Sequence, residues 1–383
     1  MFNRTPCFRG IAALLMLAFQ LPAVAQSFRV QCPTATTLHP LVNGPTASSP
    51  PLPNPAIKCQ QISGGDGFAT MADGTQTYLF SFGPLSGLAD IRNGLPGTQP
   101  ASVFNQIGDV SAITAAIPPT GNTLFETNFN GAVGLVPDPE SVPPGQLSGH
   151  VDPRPIMDVG VLNGNMPAPM MAIDEDDEFF LTLTNVGMIM RPDLFEQHTV
   201  HFHGYPNAAS FYDGVPDASV AINIGGSFTY YYLAPDAGTY FWHCHISPPE
   251  HLQMGMVGQL YVRPRQNRVN SGTLYAKLLA QEASGADPRT KCGSDILCAA
   301  PLPPSNSVTH VNNKSGKPTL YAYNDGDGST AYDVEYPIQI HGFDPFTATS
   351  RKQRKRNFHT TGNQRPITKG NHHDHQDPLR PVR

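Results

Sequence analysis

Apolar and polar positions fall into short runs separated by turn residues. Thr77-Tyr78-Leu79-Phe80-Ser81-Phe82 alternates and predicts a strand. Glu178 to Asn185, ended by Gly187, predicts a second, and Ser227 to Tyr232 a third. Pro235-Asp236-Ala237-Gly238 reads as a turn into Thr239 to His243, and Met256 to Val262 closes the unit. Several short strands with turns between them predict an all-β chain, a Greek-key β-sandwich. Tyr336 to Phe343 predicts one more strand and the start of a second, incomplete sandwich. Other stretches carry weaker patterns. Pro33 to Pro55 reads as an extended linker or irregular lead-in, and Gly83 to Val151 as turns and short strands. Ser284 to Lys317 is rich in Gly, Ser, Pro and Asn, and from Thr347 the apolar pattern disappears. No solenoid-type repeat is present.

Composition supports this reading. With 39 Pro and 35 Gly in 383 residues, a helical bundle is disfavoured. The net charge of −6 hides a split. From Arg351 onward there are nine Lys and Arg against two Asp, so the first 350 residues carry −13 (15 basic, 28 acidic). The basic stretch at 347–383 reads as a disordered tail separate from the fold.

At the N-terminus, Arg4 and Arg9 precede the apolar run Ile11 to Leu21, and Ala23-Val24-Ala25 follows. This is the pattern of a secretory signal over residues 1–25, too short for a transmembrane helix. The expected organisation is then an irregular region with some strands at 26–150 and the main sandwich at 151–264. A linker with the incomplete second sandwich follows at 265–346, and then the tail. In an oxidising compartment Cys32 could pair with Cys59, and Cys292 with Cys298, leaving Cys244 unpaired.

Cys244 sits in the densest chemistry of the chain. Gln197-His198-Thr199-Val200-His201-Phe202-His203-Gly204 and Phe241-Trp242-His243-Cys244-His245, with His251, Met254 and Met256 beyond, hold six of the fourteen His and the single Trp. On a strand, residues i and i+2 share a face. His201 and His203 therefore converge on one side, as do His243 and His245, while Cys244 points to the other. His198, three before His201, falls on the Cys244 side. One strand could so serve two metal centres, with sulfur on one face and paired imidazoles on the other. Imidazoles with a thiolate and a weakly held Met suit copper, the ligand set of a blue-copper site; zinc sites do not call for a Met.

These stretches resemble multicopper oxidases of the laccase and metal-oxidase group, which are built from cupredoxin domains. The resemblance implies that His198, Cys244, His251 and Met256 hold a type-1 copper, with Met254 the rival to Met256. It implies that His201, His203, His243 and His245 supply half of a type-2/type-3 trinuclear cluster. Cys244, His243 and His245 would then carry electrons between the two centres. Tyr212 to Pro216 and Gly225 to Tyr230 also resemble the family. The resemblance is dense over residues 156–264 and thin elsewhere. One departure is that His251 lies two residues further from Cys244 than is usual. Copper nitrite reductases and plastocyanin-type carriers fit less well, because they lack this full pair of motifs in one domain.

The implied activity is one-electron oxidation of a phenolic, aromatic-amine or metal-ion donor, coupled to reduction of O2 to water. The protein would be exported, to the periplasm or beyond, with no nucleic-acid partner and no membrane span. The alternative is a non-enzymatic copper-binding or electron-transfer cupredoxin. The family's cluster needs eight His, and four have the right spacing. His341 is a lone candidate for another. A homo-oligomer, a separate partner chain, or truncation or frame-shift of a longer oxidase would each account for the difference. The abrupt change after Phe346 favours the last. Two further features have double readings. Asp174-Glu175-Asp176-Asp177-Glu178 is either a lure for a cationic metal substrate or a solvated turn. Met166, Met170, Met171, Met188 and Met190 either hold Cu(I) or pack strands. His372-His373-Asp374-His375 reads as a His-rich flexible end.

Overall fold

The computed structural model describes residues 30–106, 129–136, 151–204, 209–234, 236–268, 320–324 and 329–342. Two sheets carry the architecture. The first is built from β1 (Ile57–Thr70), β2 (Gln76–Pro84), β5 (Glu178–Gly187) and β7 (Ser227–Leu233), in the order β2-β1-β5-β7. The short β3 (Gln99–Pro100) pairs with β1. The second is β4 (Met171–Asp174), β9 (Val257–Arg263), β8 (Gly238–His243) and β6 (His201–Phe202), in the order β4-β9-β8-β6. β1 runs parallel to β5 and β4 parallel to β9; the other pairs within these sheets are antiparallel.

Aromatic side chains close the space between the sheets. Phe82 of β2 meets Trp242 of β8 at 4.9 Å between ring centroids, and Phe202 of β6 meets Tyr232 of β7 at 4.5 Å. Trp242 is fully buried and lies across Gly258 of β9. A Cβ at Gly258 would stand 2.2 Å from the indole, so only glycine admits the ring there. The fold is an all-β sandwich. The four strands expected at 77–82, 178–185, 227–232 and 239–243 are present within a few residues.

Three expectations need correction. The main sandwich does not begin at residue 151, because β1 and β2 belong to its first sheet. β1 carries Gly64, Gly65 and Gly67 among polar residues, so its sequence lacks strand patterning; its partners β2 and β5 on either side hold it extended. Pro33 to Pro55 is not a free linker. It folds back through a Val42–Leu52 bridge, buries His39 against Glu178, and is tied to β1 by the Cys32–Cys59 disulfide. Such a bridge contributes roughly 2–4 kcal/mol. Finally, residues 336–342 form no strand. The described part of the expected second sandwich is only the pair β10 (Leu320–Tyr321) and β11 (Ala331–Tyr332). That pair is anchored by the Tyr321 N–H donating to Asn267 Oδ1 at 2.8 Å. The signal segment, the Cys292 and Cys298 pair and the basic tail lie outside the described residues.

Asp174 to Glu178 forms neither a solvated turn nor an open lure. Glu175, Asp176, Asp177 and Glu178 are all buried. The Arg265 guanidinium donates twice to Asp176, and Arg268 Nη2 reaches the same carboxylate at 3.2 Å. Glu175 accepts from Arg265 N–H at 2.8 Å and from Asn324 Nδ2 at 2.7 Å. Glu178 accepts from Tyr231 Oη at 2.8 Å, from Thr36, and is paired with His39 Nδ1 at 2.8 Å. The segment is a lock holding residues 265–268, 324 and 36–39 to the start of β5.

Candidate metal centre

β8 ends at His243, and Cys244 follows at the bottom of the sandwich. Cys244 N–H donates to the Met256 carbonyl at 3.1 Å, which carries the β8–β9 ladder one step past the strand. The chain then turns at Ser247, held in the left-handed region at φ 40°, into a short helix, α1 (Pro248–Gln253). Both prolines sit at its first turn, where a missing N–H is harmless. Met256 N–H donates back to the His251 carbonyl at 2.9 Å, closing the loop on itself. The extra residues between Cys244 and His251 are taken up as helix. His251 is fully buried, with Nδ1 3.2 Å from Cys244 Sγ.

His198 reaches the same point from the other side of the sheet interface. It is fixed by paired backbone hydrogen bonds with Ile222, at 3.1 and 3.0 Å. Its ring lies 5.4 Å from that of His251. One ligand atom from each of His198, Cys244 and His251 lies within 4.8 Å of the other two, and all three residues are buried. Met256, bonded through its backbone to both Cys244 and His251, is fully buried, and Met254 is buried as well.

The second group lies across the Cys244 backbone. His201 and His243 are register partners on β6 and β8. His203 Nε2 is 2.9 Å from His243 Nε2. His201, His203 and His243 form a second set whose ligand atoms lie within 4.8 Å of one another. The His245 ring stands 5.1 Å from that of His201 and 5.6 Å from that of His243. This group opens outward: His203 is exposed and His201 and His245 half-buried. His341 belongs to neither group. Met171 is a core residue, Met188 Sδ accepts from Tyr78 Oη at 3.8 Å, and Met190 is exposed.

The hydrogen bonds decide which ring nitrogen each His presents. His201 Nδ1 donates to the Asp213 carbonyl at 2.7 Å, and His243 Nδ1 to the Cys244 carbonyl at 2.8 Å. Both leave Nε2 unprotonated, that of His243 facing His203 Nε2, the outer-shell arrangement that orients metal-binding imidazoles. On the sulfur side, both His198 nitrogens are buried without a hydrogen-bond partner. An unmet buried polar group costs about 1–3 kcal/mol, so a native core rarely leaves both nitrogens of one ring unmet. A soft metal between the Cys244 sulfur and the His251 Nδ1 that faces it would also take an electron pair from His198, which is how the residues fit copper.

The electrostatics agree. Burial pushes the His198 pKa down to about 3 and the His243 pKa down to about 4, so both rings are neutral and ready to donate electron pairs. His203 is lowered too, first by burial and then by its His neighbours. At His251 burial again opposes charge. The hydrogen bonds and charges of Cys244 and Glu196 together outweigh it, holding the pKa up at about 9.

Four supporting residues escaped the sequence reading. Thr199 clamps both sides of the motif: its N–H points at Cys244 Sγ at 3.4 Å, and its hydroxyl accepts from His245 N–H at 2.9 Å. Glu196 Oε2 lies 3.6 Å from His251 Nε2. Phe80 packs edge-on to His251 at 5.2 Å. Gly64 leaves room for His198, since a Cβ there would stand 2.8 Å from the ring. Thr199 and Glu196 adjoin the motif and could have been suspected. Phe80 and Gly64 come from distant strands and carry no local signal.

The multicopper oxidase family model matches residues 149–267. The multicopper oxidase MCE of Talaromyces pinophilus is 31% identical over 144 residues, covering 36% of this chain and 22% of that protein. Laccase abr2 of Aspergillus fumigatus is 34% identical over 109 residues, covering 28% of this chain and 17% of that protein. The chain thus spans about a fifth of the length of the curated relatives it matches. Among solved structures, the blue copper oxidase from Nitrosomonas europaea overlaps 54% of this chain and 39% of that chain, at 21% identity and a TM-score of 0.30.

Proposed function

We propose, starting from residues 149–267 as a multicopper oxidase domain, that the protein is an exported copper oxidase. It takes single electrons from a phenolic or metal-ion donor and passes them to O2, which is reduced to water. His198, Cys244, His251 and Met256 are the type-1 ligands in this reading. His201, His203, His243 and His245 are the imidazoles this chain offers to the oxygen-reducing centre. The observation that carries it is the pairing of two donor groups back to back: one buried and sulfur-bearing, one all-imidazole and open, joined through the single backbone step from His243 to Cys244.

Copper bound at these groups supplies one-electron redox chemistry. The chain's own residues do the rest. Thr199 N–H points at Cys244 Sγ and fixes its direction. Phe80, Trp242 and the buried loop from Met254 to Met256 keep water from the sulfur. The Nδ1–H of His243, held on the Cys244 carbonyl, ties the imidazole group to the residue that bears the sulfur. Glu196, at the outer nitrogen of His251, connects the buried ring to the half-exposed surface. The remaining imidazoles of the centre come from a second cupredoxin unit, in another copy, in another chain or in a longer form of this one. Export rests on the N-terminal charge and apolar pattern and on the Cys32–Cys59 disulfide. Among the described residues no helix is long and apolar enough to cross a membrane.

A second reading follows from the imidazole count on the open side. Four rings gather there, so the chain alone makes an exported electron-transfer cupredoxin with copper only at Cys244. Copper stoichiometry with EPR on copper-loaded protein, read beside oxygen uptake, separates the two. Additional copper beyond the blue centre, with oxygen consumption, supports the oxidase. One blue copper per chain and no oxygen uptake overturns it in favour of the carrier.

A further inference from the structure

Near the end of β5 stands Asn185, fully buried, with every polar atom engaged. Its N–H donates to the Gly226 carbonyl at 2.9 Å, and its carbonyl accepts from Gly225 N–H at 2.7 Å. Its Oδ1 accepts from Gly187 N–H at 3.0 Å. Its Nδ2 donates twice, to the Glu196 carbonyl at 2.8 Å and to the Ile222 carbonyl at 2.9 Å. A side-chain amide carries two donors, and here both are used.

Both acceptors belong to the backbone around the sulfur-side group. The Ile222 carbonyl that takes Nδ2 also accepts His198 N–H at 3.1 Å, and Ile222 N–H returns to the His198 carbonyl at 3.0 Å. Glu196, two residues before His198, brings its Oε2 to 3.6 Å from His251 Nε2. Asn185 is also the register partner of Gly64 on β1, where an added Cβ would meet the His198 ring. One amide thus braces His198 through its bridge partner and His251 through Glu196. Among side chains of this size, Leu offers no donor, and an ionised Asp turns an oxygen toward two carbonyls. The amide supplies two donors and an acceptor at once.

We propose that Asn185 is a positioning residue for the sulfur-side metal centre. It sets where the His198 ring and the Glu196 carboxylate stand relative to Cys244 and His251. This role rests on the type-1 reading of His198, Cys244 and His251. Asn185 supplies no donor to the centre and acts on it through two backbone carbonyls. Removal of an outer-shell partner of this kind lowers metal affinity about 10–100-fold.

The test compares the full chain with Asn185→Ala and with Asn185→Asp, which keeps the size and the acceptor for Gly187 but removes the paired donors. Each is titrated with copper(II) against a competing chelator, and its visible absorption and EPR spectra are recorded. Both variants are expected to lose about 10–100-fold in copper affinity and to show a shifted blue band. In the metal-free chain the His198 amide is expected to exchange roughly tenfold faster, since the hydrogen bonds that steady its partner are gone. Urea unfolding of Arg265→Ala beside them separates positioning from bulk stability, because that variant should lose stability with its blue band in place. Variants that lose stability in the same way, with band and affinity unchanged, make Asn185 a structural residue only and overturn the proposal. So does unchanged exchange at His198. A native chain that binds copper without a blue band overturns the type-1 reading itself, and the positioning role falls with it.

Discussion

Two polar clusters lie buried within the same sandwich, and they are built to opposite rules. At Asp174 to Glu178, carboxylates meet guanidinium, amide, hydroxyl and imidazole partners until the lock is densely bonded. Beside Cys244, both ring nitrogens of His198 are buried without partners. Burial of charge is tolerable when paired. Burial of a neutral imidazole such as that of His198 without partners is tolerable when something else takes its electron pair. The carboxylates of the first cluster find their partners within the protein, whereas the orphaned His198 ring beside the Cys244 sulfur points outside it, to a metal. Acidity alone would have chosen the wrong one as the cation site.

Substitutions can sharpen this contrast. The largest effect is expected at Cys244. Cys244→Ser should abolish the intense visible absorption of the copper-loaded protein; an unchanged spectrum would remove Cys244 from the ligand set. At the lock, Arg265→Ala leaves Asp176 buried with a weakened partner set. It should cost about 3–5 kcal/mol in urea unfolding while the blue band of the folded fraction stays in place. A loss below about 1 kcal/mol would show that the network contributes little.

Gly64→Ala forces a methyl against His198, and overpacking of this kind costs about 1–3 kcal/mol. Its distinguishing readout is a shifted or weakened blue band, because the clash falls on the ring of His198, a ligand in the proposed type-1 set. A stability loss with an unaltered spectrum would mean that the ring does not move.

The smallest effect is a pH slope. Burial raises the Asp177 pKa from 3.8 to about 7. Between those values the folded state binds more protons than the unfolded state, so stability declines as pH rises. This contribution is fully present below about pH 4 and is lost by pH 7. Asp177→Asn, neutral throughout, should flatten that decline by at most about 1.4 kcal/mol per pH unit. A urea midpoint profile with the same slope in both proteins would contradict the assignment.

The strands around the motifs were legible because alternation, β-branched residues and turn signals agree there. β5, β7 and β8 each show it. β1 was not legible: its glycines mark close approach to a His in one place and to a backbone turn in another, which no local pattern encodes. Likewise the His-x-His and His-Cys-His spacings announced two sets of donors, since a two-residue repeat fixes which face each side chain takes. The spacing to His251 departed from the usual, and only the helix Pro248–Gln253 showed how that length is absorbed.

The order of residues along the chain therefore determined the donor types, their division between two faces, and the all-β class, because each depends on neighbours within a few positions. Tertiary structure decided which donors meet, which polar clusters are satisfied, and where the sandwich begins. Those outcomes depend on contacts between residues more than a hundred positions apart, such as His39 with Glu178 or Gly64 with His198.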